Sequence, residues 1–438
     1  MSSASATTIY VNGSAPTGGN GSTWSTAFNT IGAGLDAATA AATPGAVIDI
    51  WVAGSTNPYP MARCNYPLPN NVNLYGGFAG NETQINQRGF TGNLPSLQST
   101  LIEPNSGTNC YLFNLAGTTN RFDGMTLIAV GGILQSGGTL TAVSDTFTRD
   151  PINDMASAVA GNGIVSSNGG TLVVDKSLFQ NLIASTGGAI ASVNAASVAV
   201  TNSTFIGNQA VGAQYWDGTG VASLSGGGAI IVDGNFSYTY YNYGTPVNNT
   251  KVTISSNTFI NNAAGSPSGG GAIHVEDSDT VSIASSNFGA LDANGMPVSG
   301  SSNNASNSNG GAVSLNTSNV VALNKNNFYG NAAYSGGAIY SQAENINGSV
   351  TITTNKFIGN NAYVGGAIND GKEFTSGPKT VDLIINSNNT FTFNTANKGP
   401  AIFYDSTEES VNGKTAVPAI DSSLTKSNVN LRSSDIFP

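Results

Sequence analysis

One phrase recurs along this chain and limits what it can fold into: Phe-x-x-Asn, a short gap, then Gly-Gly-Ala-Ile. It reads Phe328-Tyr-Gly-Asn331 before Gly336-Gly-Ala-Ile339, and Phe357-Ile-Gly-Asn360 before Gly365-Gly-Ala-Ile368. Looser copies pair Phe205 and Asn208 with Gly227 to Ile230, and Phe259 and Asn262 with Gly270 to Ile273. Decayed copies set Phe179 before Gly187, Phe288 before Gly310, and Phe391 with Asn394 before Gly399-Pro-Ala-Ile402. The step is 26 residues from Phe179 to Phe205 and 29 from Phe328 to Phe357. A short fixed period of this kind means stacked units that bury one continuous core, that is, a solenoid.

Within a unit, Val252 and Ile254 alternate with Thr253 and Ser255, the period-two pattern of a half-buried strand. The same pair stands before Phe in Val198/Val200, Val281/Ile283, Val321/Leu323 and Val350/Ile352. A second short strand follows the glycines, as in Ala272-Ile-His-Val275. Each unit then holds two or three short strands joined by tight corners, and the paired turn signals of a hairpin array are absent. The predicted fold is all-β: a right-handed parallel β-helix, one unit per coil, each Phe and Ile stacked on its counterpart about 4.8 Å away. Asn257, Asn326, Asn355 and Asn389, two before Phe, and the Asn three after it, suit corners that repeat as hydrogen-bonded ladders. The Gly-Gly pair supplies the other corner.

The first 60 residues differ. Phe28, Ile31, Leu35 and Ala38 fall at helical spacing between Ala27 and Thr43, and Pro44-Gly45 stops the pattern. An open solenoid end exposes core and strand edges, so this helix is expected to cap it. The organisation read from the chain is a cap with a short helix and first strand over 1–60, coils over 61–405, and a cover or linker over 406–438.

A solenoid grows in one dimension, so 438 residues need not divide into several cores. Charged residues make up 9% of the chain, with a net charge of −10 and only 14 Lys plus Arg, which argues against binding nucleic acid. No run of about 18 apolar residues is present, so this region is not expected to insert in a membrane. Met1 to Thr8 shows neither a basic nor an apolar leader segment. Cys64 and Cys110 can form one disulfide in an oxidising compartment or remain buried thiols.

The Phe-x-x-Asn and Gly-Gly-Ala-Ile pair resembles the repeats of chlamydial polymorphic outer-membrane proteins. The segments Ile9-Tyr-Val-Asn, Trp24-Ser-Thr-Ala-Phe-Asn-Thr-Ile31, Leu35-Asp-Ala-Ala38 and Leu74-Tyr-Gly-Gly-Phe-Ala-Gly80 are similar to the start of pectate-lyase-like surface proteins of bacteria and archaea. Together the resemblances cover most of 9–405. They imply a β-helix and an adhesive surface role; the translocating barrel of the first family has no counterpart here, so autotransport is not carried over. The superfold itself hosts adhesins, lyases and hydrolases alike.

Hydrolysis on such a scaffold needs carboxylates converging on one rung. The residue six after the first motif glycine is expected to form one outward column: Asp233, Glu276, Asn316, Gln342. His274, two before Glu276, shares that face. This group suits acid–base work or a cation, and Asp277 and Asp279 beside Glu276 suggest calcium, though a solvated strand end is the plainer reading. No basic residue but Lys251 lies near, which weakens a lyase reading, and no catalytic set is assigned. Two insertions around this coil carry aromatics: Tyr215, Trp216 and Asp217 before it, and Phe236, Tyr238, Tyr240, Tyr241 and Tyr243 after it. Such residues in long loops suit stacking on sugars or covering a protein partner. The expected function is a non-catalytic extracellular or cell-surface domain, adhesin-like, presenting loops to a glycan or protein on a host or neighbouring cell. The alternatives are a fibre subunit associating end to end, outside cells or on a virion, and a polysaccharide-active lyase or hydrolase using Asp233, His274 and Glu276.

Overall fold

The structure, a computed structural model, describes residues 6–102, 111–129, 131–149, 162–212, 226–234, 250–265, 269–316, 318–342, 349–371, 382–386, 388–404, 419–420 and 436–437. It is the expected parallel β-helix. Four parallel sheets of 13, 11, 6 and 12 strands build the coil, the 6-stranded one confined to 183–364, and within each, neighbouring strands come from successive coils. One coil shows the plan. Lys251–Ser255 lies in the 13-stranded Val/Ile sheet and Thr258–Ile260 in the 11-stranded Phe sheet. Ala263–Ala264 lies in the 6-stranded short sheet and Ile273–Glu276 in the 12-stranded Ala-Ile sheet. The short sheet is the strand that sequence reasoning did not resolve. Its members are two to six residues long and bury only small side chains, the alanines Ala264, Ala305, Ala333 and Ala362 with Ser308 and Ser335.

The repeat supplies the core by keeping register. Phe147, Phe179, Phe205, Phe259, Phe288, Phe328, Phe357 and Phe391 form one stack, with neighbouring ring centroids 4.6 to 5.0 Å apart. Strand spacing sets that distance, so the rings lie almost parallel where isolated pairs would prefer an edge contact.

The asparagines form two ladders. Three after Phe, Asn208, Asn262, Asn303, Asn331, Asn360 and Asn394 each accept, through Oδ1, the backbone N–H of the residue one coil earlier. Each also donates from Nδ2 to a Phe carbonyl, as Asn331 does to Phe288 at 3.0 Å. Asn303 belongs to the coil whose motif reads as decayed: an insertion separates it from Phe288, yet it returns to the ladder. Two before Phe, the second ladder runs Asp145, Ser177, Ser203, Asn257, Ser286, Asn326, Asn355, Asn389. Every buried corner N–H along both ladders therefore has an acceptor.

The Gly-Gly corner is sterically required. Its first glycine has positive φ, 62° at Gly227 and 65° at Gly336. A Cβ on the second would meet the next coil's backbone, 2.1 Å from the Gly337 carbonyl oxygen in the case of Gly311.

At the N-terminal end, helix α1 (Ile31–Ala41) starts at Thr30, whose side chain accepts from the Ala33 N–H, and buries Ile31, Gly34, Leu35 and Ala38. Phe28 precedes the helix and bridges to Val11. Residues 1–60 hold two strands of the Val/Ile sheet, Thr7–Val11 and Ile48–Ala53. At the other end Ala419–Ile420 and Ile436–Phe437, within 406–438, add to the Val/Ile and Ala-Ile sheets. Prolines strap two corners: Pro95, on a hairpin pinned by Arg88 to Asp123, packs over Gly77 and Gly124 between the Val/Ile and Phe sheets, and Pro297 over Gly330 and Gly359 between the Phe and short sheets. Cys64 is disulfide-bonded; Cys110, the only other cysteine of the chain, lies outside the described residues.

Candidate functional site

Strands of the Ala-Ile sheet alternate strictly. Ile273 and Val275 enter the core, so His274 and Glu276 point outward. Parallel pairing stacks these outward positions into two rows. The outer row runs Val193, Asp233, Glu276, Asn316, Gln342, so Asp233 and Glu276 are direct partners on adjacent coils. The inner row, nearer the Gly-Gly corner, runs Leu134, Val165, Ala191, Ile231, His274, Ser314, Tyr340, Asn369.

The inner row is covered rather than solvated, which overturns the plainer reading of a solvated strand end at His274. His274 and Ser314 are 0% exposed, Asn369 5% and Tyr340 8%. Its first half is apolar: Val165, Ala191 and Ile231 form a separate hydrophobic cluster with Tyr111 and Leu134. From His274 onward the same row turns polar while the register continues unchanged.

Hydrogen bonding leaves part of this polar half open. His274 Nε2 lies 3.2 Å from Glu276 Oε2. Burial works to raise the Glu276 carboxyl, but the hydrogen bond and charge of His274 outweigh it, and the group is held below the usual carboxylate range. Nε2 is thus engaged by Glu276, and the other ring nitrogen is Nδ1. That Nδ1 is buried with no partner, as are Asn316 Oδ1 and Asn369 Oδ1. Two coils on, Tyr340 repeats the His–Glu arrangement by donating to Gln342 Oε1 at 2.9 Å. Gly371 leaves the space that the phenol fills; a Cβ there would sit 2.2 Å from the Tyr340 hydroxyl oxygen.

The geometry bears on chemistry. A carboxyl that donates a proton to a leaving sugar oxygen needs a raised pKa, and Glu276 is shifted the other way. The strands of the Ala-Ile sheet contain no Lys or Arg, and Lys251 lies exposed on the Val/Ile sheet. Asp277 occupies a left-handed corner (φ 48°), and Asp279 accepts from Thr280 and Asn319. Among the described residues no group of three or more His, Cys, Asp or Glu side chains is placed to hold a metal ion, so the calcium set of Glu276, Asp277 and Asp279 is not formed.

Asp233, His274 and Glu276 therefore come together on one face. Tyr215, Trp216, Asp217, Phe236, Tyr238, Tyr240, Tyr241 and Tyr243 lie outside the described residues. Sequence reasoning missed Ser314, Tyr340 and Asn369 as members of this face. They stand four after the first motif glycine (Gly310, Gly336, Gly365), the offset of His274 from Gly270, so tracking that column would have found them.

The chain matches no protein-family model and no curated protein. Among solved structures it is similar to the A-module of the mannuronan C-5 epimerase AlgE6 of Azotobacter vinelandii, at 12% identity and a TM-score of 0.35, covering 86% of this chain and 93% of that one. The AlgE4 A-module of the same organism gives 12% identity and a TM-score of 0.34, covering 87% and 95%. The Dettilon tailspike protein gives 13% identity and a TM-score of 0.32, covering 91% and 69%. No helix among the described residues is long and apolar enough to cross a membrane.

Proposed function

We propose that this protein is a non-catalytic extracellular β-helix that holds an extended surface ligand, a glycan, along the outer face of the Ala-Ile sheet, in an adhesin-like role. The carrying observation is the set of buried polar atoms without partners, His274 Nδ1, Asn316 Oδ1 and Asn369 Oδ1, on one face of the first, second and fourth of four successive coils. Native folds rarely leave such atoms unsatisfied, because each costs about 1–3 kcal/mol, and a bound partner is one way to supply what is missing. The disulfide at Cys64 fits an oxidising compartment. The low pKa of Glu276 favours binding over glycoside hydrolysis. The segments 213–225 and 235–249, which precede and follow the strand Ile230–Asp233 in sequence, carry aromatics of the kind that stack on sugar rings. The repeat family that the motifs resemble has the same adhesive role.

A glycan array with a cell-binding assay tests the reading, using the wild type and a His274→Leu, Asn369→Leu double variant. Binding by the wild type that is lost in a folded double variant is expected. Inert behaviour of the wild type in both assays, or undiminished binding by the variant, refutes it.

A further inference from the structure

Charge is unevenly divided around the coil. Acidic residues stand in two of the four sheets, with Asp49, Asp123 and Asp175 in the Val/Ile sheet and Asp233, Glu276 and Asp370 in the Ala-Ile sheet. Among the described residues, the strands of the Phe sheet and the short sheet contain no Asp or Glu, and Lys356 is their one charged residue. Exposed apolar side chains gather on that acid-free side. Met296, Val298 and Phe393 stand about the corner between the two sheets, and Tyr334 and Tyr363 on the short sheet, all of them exposed. Pro297, between Met296 and Val298, spans Gly330 and Gly359 at that corner. Phe393, two after Phe391, takes the position that glycine holds in the two preceding coils; it has φ 56° and is 62% exposed. A left-handed backbone is costly for a bulky residue, and strain of this kind collects where a surface is used. Tyr334 and Tyr363 stack across adjacent coils, with ring centroids 5.3 Å apart. On the Phe sheet the neighbouring outward row is partly apolar as well, with Ile206 paired to Ile260 and Tyr329 to Ile358.

We propose that this side of the coil is the interface of a side-by-side dimer, its occupant a second copy of the chain. A contiguous exposed apolar surface marks an association site rather than a solvated face. Charge selects the partner. Each copy carries a net charge of −10, so two copies repel through their acidic sheets and approach most readily on the acid-free side. Lys356 on the Phe sheet and Lys398, bridged to Val364, are exposed beside the patch and attract an acidic copy. The area agrees. Six coil steps from Phe179 to Phe391 at about 4.8 Å, and a width of about 20 Å, give roughly 600 Å² per copy. Doubled, that meets the lower end of specific interfaces, about 1,200 Å² in total, and implies micromolar affinity. A two-fold pair offers the same patch from both copies and closes on itself, whereas end-to-end association grows. Both Ala-Ile sheets stay uncovered in such a pair, so one particle carries two copies of that face.

The experiment is sedimentation velocity of the whole chain from about 1 to 100 μM, a range that brackets a micromolar dimer. The wild type is expected to pass from monomer to dimer and to stop there. Raising salt from about 50 to 500 mM should tighten the dimer, because screening weakens the repulsion between two acidic chains. Tyr334→Glu with Tyr363→Glu should weaken it about thirtyfold or more. Thr253→Glu with Thr351→Glu, outward on the Val/Ile sheet, adds the same charge and should change it less than about threefold. Phe393→Gly restores the glycine of the preceding coils. It should leave the urea midpoint of the monomer unchanged or higher and loosen the dimer about tenfold, a combination that a misfolded variant does not give. A wild type that stays monomeric at about 100 μM overturns the inference. So does a dimer that salt loosens, a dimer indifferent to Tyr334 and Tyr363, or growth beyond two copies.

Discussion

Asp145 offers the sharpest test of how the corner ladders work. It stands two before Phe147, where later coils carry Ser177, Ser203, Asn257, Ser286, Asn326, Asn355 and Asn389. Its Oδ1 accepts from the Met125 N–H at 2.7 Å, as a ladder residue should, while Oδ2 is buried without a partner. In the asparagine members the corresponding Nδ2 donates to a carbonyl of the previous coil, three residues before the preceding ladder position: Ile283 for Asn326, Leu323 for Asn355 and Ile352 for Asn389. The same register sets Asp145 against the Phe122 carbonyl, where only a protonated carboxyl can imitate the amide. Burial pushes the group well above its usual value of 3.8; the Met125 hydrogen bond opposes that, Asp123 adds to it and Arg121 opposes it. The folded state thus holds this proton more tightly than the unfolded chain. Its stabilising contribution is complete below about pH 3.8 and is lost as pH rises, by about 1.4 kcal/mol per unit, until the native carboxyl itself ionises. Asp145→Asn removes the titration and keeps the ladder. In urea unfolding followed by tryptophan fluorescence, where Trp24 and Trp51 report the first coils, the two proteins should agree near pH 4. The variant should then gain steadily on the wild type toward pH 7. A gap that stays constant over that range, or a variant weaker throughout, would refute the neutral-acid assignment.

Other consequences can be measured on the same footing. Asn331→Ala strands the Asn303 N–H and Nδ2–H and removes a donor to Phe288, so a loss of about 3 kcal/mol or more is expected in urea unfolding. Asn326→Ser should cost about 1 kcal/mol or less, because Ser177, Ser203 and Ser286 already serve in that ladder. Gly311→Ala forces a methyl to 2.1 Å from a backbone oxygen and should cost about 3 kcal/mol or more. Gly295→Ala, at φ 76° with nothing within 4 Å, should cost only about 1–2 kcal/mol. Cys64→Ser should lower stability by about 2–4 kcal/mol, and reducing agent should reproduce the loss in the wild type alone.

The rows that the fold depends on were legible because they repeat in kind: Phe on Phe, Ile on Ile, Asn on Asn. The short sheet escaped notice because its strands offer two to six residues and an inward alanine, too little for a period-two signal. Asn303 escaped because the insertion after Phe288 broke the spacing while the ladder position persisted. The hairpin Phe90–Thr91 with Leu94–Pro95 lies outside the coil path and carries no repeat. At the site, Asp233, His274 and Glu276 could be placed on one face because offset from a motif glycine is a coordinate in a solenoid. That the inner row is buried could not be read: outward alternation ordinarily means solvent, and no local pattern reports what covers a strand.

The inner row also shows what the chain could have done there. Val165, Ala191 and Ile231 fill it with apolar side chains that leave nothing unsatisfied, and the same backbone continues through His274, Ser314, Tyr340 and Asn369. Extending the apolar row would remove buried atoms that each cost about 1–3 kcal/mol. A fold that keeps them is less stable than its own register allows, as expected where a surface serves a ligand. His274→Leu and Asn369→Leu should therefore each raise the urea midpoint of the ligand-free protein, or leave it unchanged, while abolishing binding. If instead each lowers the unfolding free energy by about 2 kcal/mol or more, the polar atoms are satisfied within the fold, and the argument that they await a ligand fails.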